Sequence, residues 1–230
     1  MNKLISVQKI IFKNVAEFFS SPEISALCQA NPLTAGIATY FSTKYSQEQY
    51  ETLTTFVHLL YSRLGSIEEK KIDKTFFDTK DGKRIIGKIF RGITRDNRVE
   101  KLTAMSNLTV NLYIKSKLTV DEKEVYVDIL DKLNVLQLSI LQNAVLQIQS
   151  RKENQHRGFG REEMQEQYKV KGVTGALLLQ SIRALESNGL VNQNDATIQE
   201  KDKTHFVTVF GEQFYCFISN PLTMESPYTL

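Results

Sequence analysis

Two cysteines, four prolines and no tryptophan occur in 230 residues. Cys28 and Cys216 stand far apart and outside any C-x-x-C setting. That excludes a disulfide framework or a cysteine zinc site as an organising device and suits a reducing cytoplasm. No apolar run approaches the roughly eighteen residues that a membrane-spanning helix requires. The first residues, "MNKLISVQKIIFKNVAEFF", lack a continuous apolar core and a small-residue cleavage site, so they do not read as a secretory signal. Ile5, Ile11, Val15, Phe18 and Phe19 instead share one side of an amphipathic helix, which either docks on the core or lies on a membrane surface.

Catalytic patterns are also missing. There is no G-x-S-x-G elbow. "RGFGR" (157–161) has two glycines but neither a P-loop lysine nor the G-x-G-x-x-G order. "DTKDGKR" (78–84) lacks the length and closing Glu of a calcium loop. His58 sits among apolar residues, where a buried or half-buried structural role is expected. His156 falls in a polar loop and His205 at a strand start, none with a metal-ligand neighbour at suitable spacing. The expectation is a non-enzymatic protein with no catalytic residues, no metal and no cofactor.

What is present is helical periodicity. Four prolines and eleven glycines leave long uninterrupted segments. Asn31-Pro32 starts a helix whose apolar positions run to Leu64. "SIEE" (66–69) and "TVDE" (119–122) are capping boxes. Asp96 or Asn97 is expected to cap the helix carrying Val99, Leu102, Leu108 and Leu112. Val125, Ile129, Leu130 and Leu133 mark the next one, and a strongly apolar helix starts near Val135.

The net charge of +3 is unevenly distributed. Residues 1–150 hold 20 Lys+Arg against 16 Asp+Glu, whereas residues 151–230 hold 9 against 10. Much of the basic excess lies in "KRIIGKIFRGITRDNR" (83–98). There Arg84, Lys88, Arg91, Arg95 and Arg98 recur every three or four residues and fill an arc of about 80°, opposite Ile85, Ile86, Ile89, Phe90 and Ile93. Such a stripe is either a solvated face of a packed amphipathic helix or a surface for a polyanion or an acidic partner.

After residue 150 the texture changes. "SRKENQHRGFGR" reads as a loop. Short helices fit "REEMQEQY" and Thr174 to Ser187. "LESNGLV" then leaves the second helix through Gly189 and enters a strand, followed by a charged turn and a second strand in which Phe206, Thr208 and Phe210 alternate with Val207 and Val209. A last helix holds Phe214, Phe217 and Ile218. Three helices followed by a two-stranded ribbon is the order of a winged helix. Its third helix turns Leu178, Ile182 and Leu185 inward and Ala176, Gln180, Arg183 and Ser187 outward, with Lys169, Lys171, Lys201 and Lys203 placed for phosphates.

Three motifs together carry a resemblance. Ile129, Leu130, Leu133, Leu138 and Leu141 form the first. Leu185, Glu186, Gly189, Leu190 and Val191 form the second, and Thr208, Phe210, Gly211, Phe214 and Ile218 the third. The combination resembles bacterial and prophage proteins of the abortive-infection alpha type, with Asn134-Val135 standing where that pattern carries Ser/Thr-Pro. The resemblance implies a role in conflict between bacteria and phage and transfers no catalytic residue.

The expected fold is mainly α: a helical domain (1–132), a small winged-helix-like α+β domain (133–219) and a tail (220–230). The expected function is nucleic-acid binding by a cytoplasmic bacterial or prophage protein in phage defence or regulation. The residues concerned are Arg84, Lys88, Arg91, Arg95, Arg98, Lys169, Lys171, Gln180, Arg183, Lys201 and Lys203. Two alternatives stay open. One is a protein-interaction or homo-oligomer module in which the winged helix only packs. The other is a membrane-active effector using the amphipathic segments.

Overall fold

The computed structural model describes residues 47–64, 73, 76, 79–114, 118–150, 158–193 and 204–219. The N-terminal amphipathic segment, the Asn31-Pro32 start, the "SIEE" box, His156, Lys201, Lys203 and the tail lie outside the described residues. Those described are mainly helical, with a small antiparallel sheet, and fall into two compact units separated after Asp131. No helix among them is long and apolar enough to cross a membrane.

The first unit contains α1 (Gln47–Leu64), α2 (Lys80–Arg95), α3 (Val99–Tyr113) and most of α4 (Val120–Lys132). α2 starts at Thr79, whose hydroxyl accepts the Gly82 N–H at 3.0 Å. Its isoleucines and Phe90 are all buried, as the wheel requires of a packed amphipathic helix. Phe90 meets Phe56 of α1 edge-on, with ring centroids 5.9 Å apart. α3 packs against both α1 and α2 and is buried over nearly its whole length from Lys101. The "TVDE" box closes as expected. The Glu122 N–H donates to the Thr119 hydroxyl (3.2 Å), and the Glu122 carboxylate accepts the Thr119 N–H (2.7 Å).

Three expectations for this unit are corrected. Neither Asp96 nor Asn97 caps α3: Arg98 takes the N-cap position without a side-chain bond, and Asp96 ends α2. The Asp96 carboxylate is instead drawn to the Arg98 guanidinium. Val99 and Val125 are solvent-exposed, because the apolar stripe of each helix is turned away from them. His58 is exposed on α1 beside a core built from Leu53, Phe56 and Leu60.

The second unit, Lys132–Phe217, is ordered α5 (Val135–Ser150), β1 (Gly158–Gly160), α6 (Arg161–Lys169), α7 (Gly175–Ser187), β2 (Val191–Gln193), β3 (Thr204–Val207) and then α8 (Val209–Ile218), whose last residue belongs to the first unit. The sheet order is β1-β3-β2, with Phe159 opposite His205 and Val191 opposite Val207. α7 packs on α5, α6 and β2, and Leu178, Ile182 and Leu185 point inward as expected. Asn134, the departure from the resembled pattern, forms a cap of its own. It accepts the Gln137 N–H at 2.9 Å, while Gln137 accepts the Asn134 N–H at 2.8 Å.

Two local readings change here. β1 occupies part of a segment whose glycines read as loop. Phe159 is fully buried and stacks on His205 at 5.5 Å, so pairing with β3 makes the strand rather than local propensity. β3 ends at Val207 instead of continuing to Phe210. Thr208 stops it, because its hydroxyl accepts the Gly211 N–H (2.8 Å) and caps α8.

α6 and α7 end in the same way. The Val173 N–H reaches back to the Tyr168 carbonyl and Gly172 to Lys169; the Leu190 N–H reaches back to Leu185 and Gly189 to Glu186. Both are Schellman closures, with Gly172 (φ +76°) and Gly189 (φ +70°) at the left-handed position. The Leu190 carbonyl then accepts the Thr208 N–H at 3.1 Å and faces Gly211. A Cβ at Gly211 would stand 2.0 Å from that oxygen, whereas one at Gly189 would meet nothing within 4 Å. Gly189→Ala should therefore cost only the left-handed strain, about 1–2 kcal/mol. Gly211→Ala should cost at least about 3 kcal/mol through a backbone collision. Denaturant melts of the two variants check this, and the reverse ranking would contradict the junction.

Candidate nucleic-acid interface

The basic stripe of α2 is arranged by its neighbour α4. Arg84 lies 2.6 Å from Glu124, and Lys88 lies 2.6 Å from Glu124 and 2.8 Å from Asp128. Arg95 lies 2.5 Å from Asp131. The partners advance together along both helices, so the helices run in the same direction, joined by a ladder of ion pairs. Burial by itself would lower the Lys88 pKa, but its bonds to Asp128 and Glu124 outweigh that and raise it. Lys88 in turn holds the Glu124 carboxyl below its usual range. Arg98 is 2.5 Å from Asp96. Arg91 alone in the stripe is exposed with no side-chain partner among the described residues.

The stripe is thus largely neutralised within its own unit. The apolar face opposite is occupied by the core. The missed signal lay in α4, where Glu124, Asp128 and Asp131 recur at four and three residues, the rhythm of the basic stripe.

α4 is held at its other end by a buried cation. Lys101 of α3 is 2% exposed and donates to the carbonyls of Leu130 and, at 3.3 Å, Asp131, in the last turn of α4. Burial pushes its pKa down to about 8. Asp96 and Asp131 pull part of the way back, and Arg98 and Arg95 add to the fall. Lys123, also buried, sits 4.1 Å over the Phe76 ring, and burial lowers its pKa too.

In the second unit the expected outward positions of α7 are outward. Ala176, Gln180, Arg183 and Ser187 are exposed. Gln180 and Arg183 lie three residues apart on one face, with no side-chain partner among the described residues. The only carboxylate of α7, Glu186, is half-buried and 3.4 Å from the His205 ring of β3. Thr174 caps the helix through the Leu177 N–H. Just before it, Lys171 stands 4.9 Å over the Tyr168 ring, and Lys169 is 3.9 Å from Glu166, both lysines being exposed. Tyr168 is fixed by α5: Asn143 donates to its hydroxyl at 2.6 Å and Ser139 lies at 2.9 Å. Glu162, Glu163 and Glu166 make the exposed side of α6 acidic, and the cations described as exposed on α6, α7 and the turn between them are Lys169, Lys171 and Arg183.

The expected residues therefore separate. Lys169, Lys171, Gln180 and Arg183 all belong to the turn and outward face of one helix pair, whereas Arg84, Lys88, Arg95 and Arg98 are taken up in ion pairs of the other unit. No family model, curated protein or solved structure matches the chain.

Two outcomes follow from the ion pairs and the buried lysine. Lys88→Gln should lower stability by about 1 kcal/mol, more at low than at high salt, and Arg91→Gln should change it little; paired melts measure both. Between about pH 8 and 10 the folded chain loses the Lys101 proton while the unfolded chain keeps it. The unfolded state then binds more protons, so stability rises with pH across that window, by up to about 3 kcal/mol. Lys101→Met should remove most of the rise in denaturant titrations; Lys123 adds to that rise, and Cys216, whose thiol pKa is pushed up by burial, opposes it. A slope unchanged by the substitution would contradict the assignment.

Proposed function

We propose that the second unit is a winged helix that binds duplex nucleic acid with α7 in the major groove. The observation that carries this reading is the pair Gln180 and Arg183, exposed three residues apart on α7 and without a side-chain partner among the described residues. The element order and the sheet order β1-β3-β2 support the fold assignment. Glutamine and arginine are the side chains whose bidentate geometry suits adenine and guanine edges. Lys169 and Lys171 supply phosphate contacts beside them. In this reading the protein is a cytoplasmic, non-enzymatic regulator. Phage defence is the role that its resemblance to abortive-infection alpha proteins implies.

A second reading, docking of a protein on the same face, is favoured by the exposed apolar side chains of Val170 and Leu177. Two apolar side chains make a far smaller patch than a stable protein interface needs. They weigh less than an unpartnered Gln–Arg pair flanked by lysines.

The test is an affinity titration of random-sequence and selected duplexes at several salt concentrations. Lys169→Gln with Lys171→Gln should weaken all duplexes alike and reduce the salt slope by about 2, since each phosphate contact contributes about 0.9. Arg183→Ala should cost about 1–3 kcal/mol on the preferred duplex and little on random sequence. Arg84→Gln should leave binding unchanged. No binding of any duplex at low salt would overturn the proposal.

A further inference from the structure

Leu177 occupies a place the core does not explain. It lies in the first turn of α7, 45% exposed, while Leu178, Ile182 and Leu185 provide the buried stripe of the same helix. Its neighbour three residues on is Gln180, and residues at that spacing have Cβ atoms about 5–6 Å apart on one side of a helix. Ala176, also exposed, is small enough to let the start of the helix approach a surface closely. The positive groups nearby, Lys169, Lys171 and Arg183, match a polyanion rather than an apolar partner. An apolar side chain beside a glutamine on such a face has one complement in the major groove. Thymine alone among the DNA bases presents a methyl group there, and adenine alone presents the N6 donor and N7 acceptor that a glutamine amide grips together.

Resting on the duplex-binding reading, we propose that Leu177 is a specificity residue that takes the C5-methyl of a thymine adjacent to the adenine held by Gln180. Arg183 lies about 4.5 Å further along the helix axis, which places a guanine within about two base pairs of that adenine. The same contact selects DNA over RNA, because RNA carries no thymine methyl and its A-form major groove is too narrow for side chains to read.

The experiment starts from a pool of randomised DNA duplexes, enriched on the full chain. Each thymine of the enriched sequence is then replaced singly by deoxyuridine, which removes the methyl and leaves base pairing intact. Wild-type protein should lose about fourfold in affinity at one position, the effect expected for one buried methyl group. Leu177→Ala should bind the thymine and deoxyuridine duplexes equally, and Leu177→Met, which keeps an apolar tip, should retain the discrimination. Melting curves establish that both variants are folded. Enrichment without sequence preference, wild-type protein indifferent to deoxyuridine at every position, or discrimination persisting in Leu177→Ala would each overturn the inference while leaving duplex binding intact. Absence of duplex binding would overturn both, and retention of a protein partner in its place would select the docking reading.

Discussion

The backbone of Leu190, through its N–H and its carbonyl, is the constraint on which the second unit depends. Its N–H closes α7 on the Leu185 carbonyl, and its carbonyl accepts the backbone of Thr208 where β3 becomes α8. One residue thus ends the helix that carries Gln180 and Arg183, begins β2 and receives the returning strand. Gly189 makes the departure from the helix, and Gly211 lets α8 approach the same oxygen. Leu190 itself is completely buried. The orientation of α7 against the sheet is therefore set by backbone bonds in a dry environment, where such bonds are strong and their loss is costly. A surface presented on α7 inherits that rigidity.

The first unit uses charge differently. Its basic helix and its acidic helix are arranged in register, and the ladder between them is partly exposed. Such pairs contribute little individually to stability but oppose any arrangement that places like charges together. Lys101 extends the scheme into the interior, where a buried ammonium satisfies the last carbonyls of α4. A cation so placed is costly to hold charged, as its lowered pKa shows. It also fixes the helix end that supplies Asp131 to Arg95. Most cations of the basic helix are thereby engaged in pairs within the unit. In the other unit Lys169, Lys171 and Arg183 lie on one helix pair, and Lys169 has Glu166 at 3.9 Å.

Much of this was legible locally. Helical period, the capping box at Thr119, the Gly189 exit and the inward–outward division of α7 are properties of residues within a few positions of one another. The structure bears them out because no distant contact overrules them. The Asn134–Gln137 cap was equally legible, having the spacing of a capping box with Asn and Gln in place of the commoner residues. β1 was not, since a Gly-Phe-Gly segment acquires its strand conformation only from β3, more than forty residues away. The end of β3 was misread for a related reason. Alternating apolar residues continue past Val207, but the Thr208 hydroxyl caps a helix there, and that helix requires Gly211 to fit under Leu190.

The sequence by itself determined a mainly helical chain with a small antiparallel sheet and two cationic groups, because periodicity, caps and charge are written in short-range order. Only the tertiary structure decided which cations are engaged. Arg84, Lys88 and Arg95 find carboxylates thirty-six to forty residues further on, a distance over which no local pattern reports. Gln180 and Arg183 share a helix whose one carboxylate is turned toward His205. Coulomb attraction falls with separation in space, not along the chain. Which of the described cations are paired is therefore settled by which helices the core brings side by side.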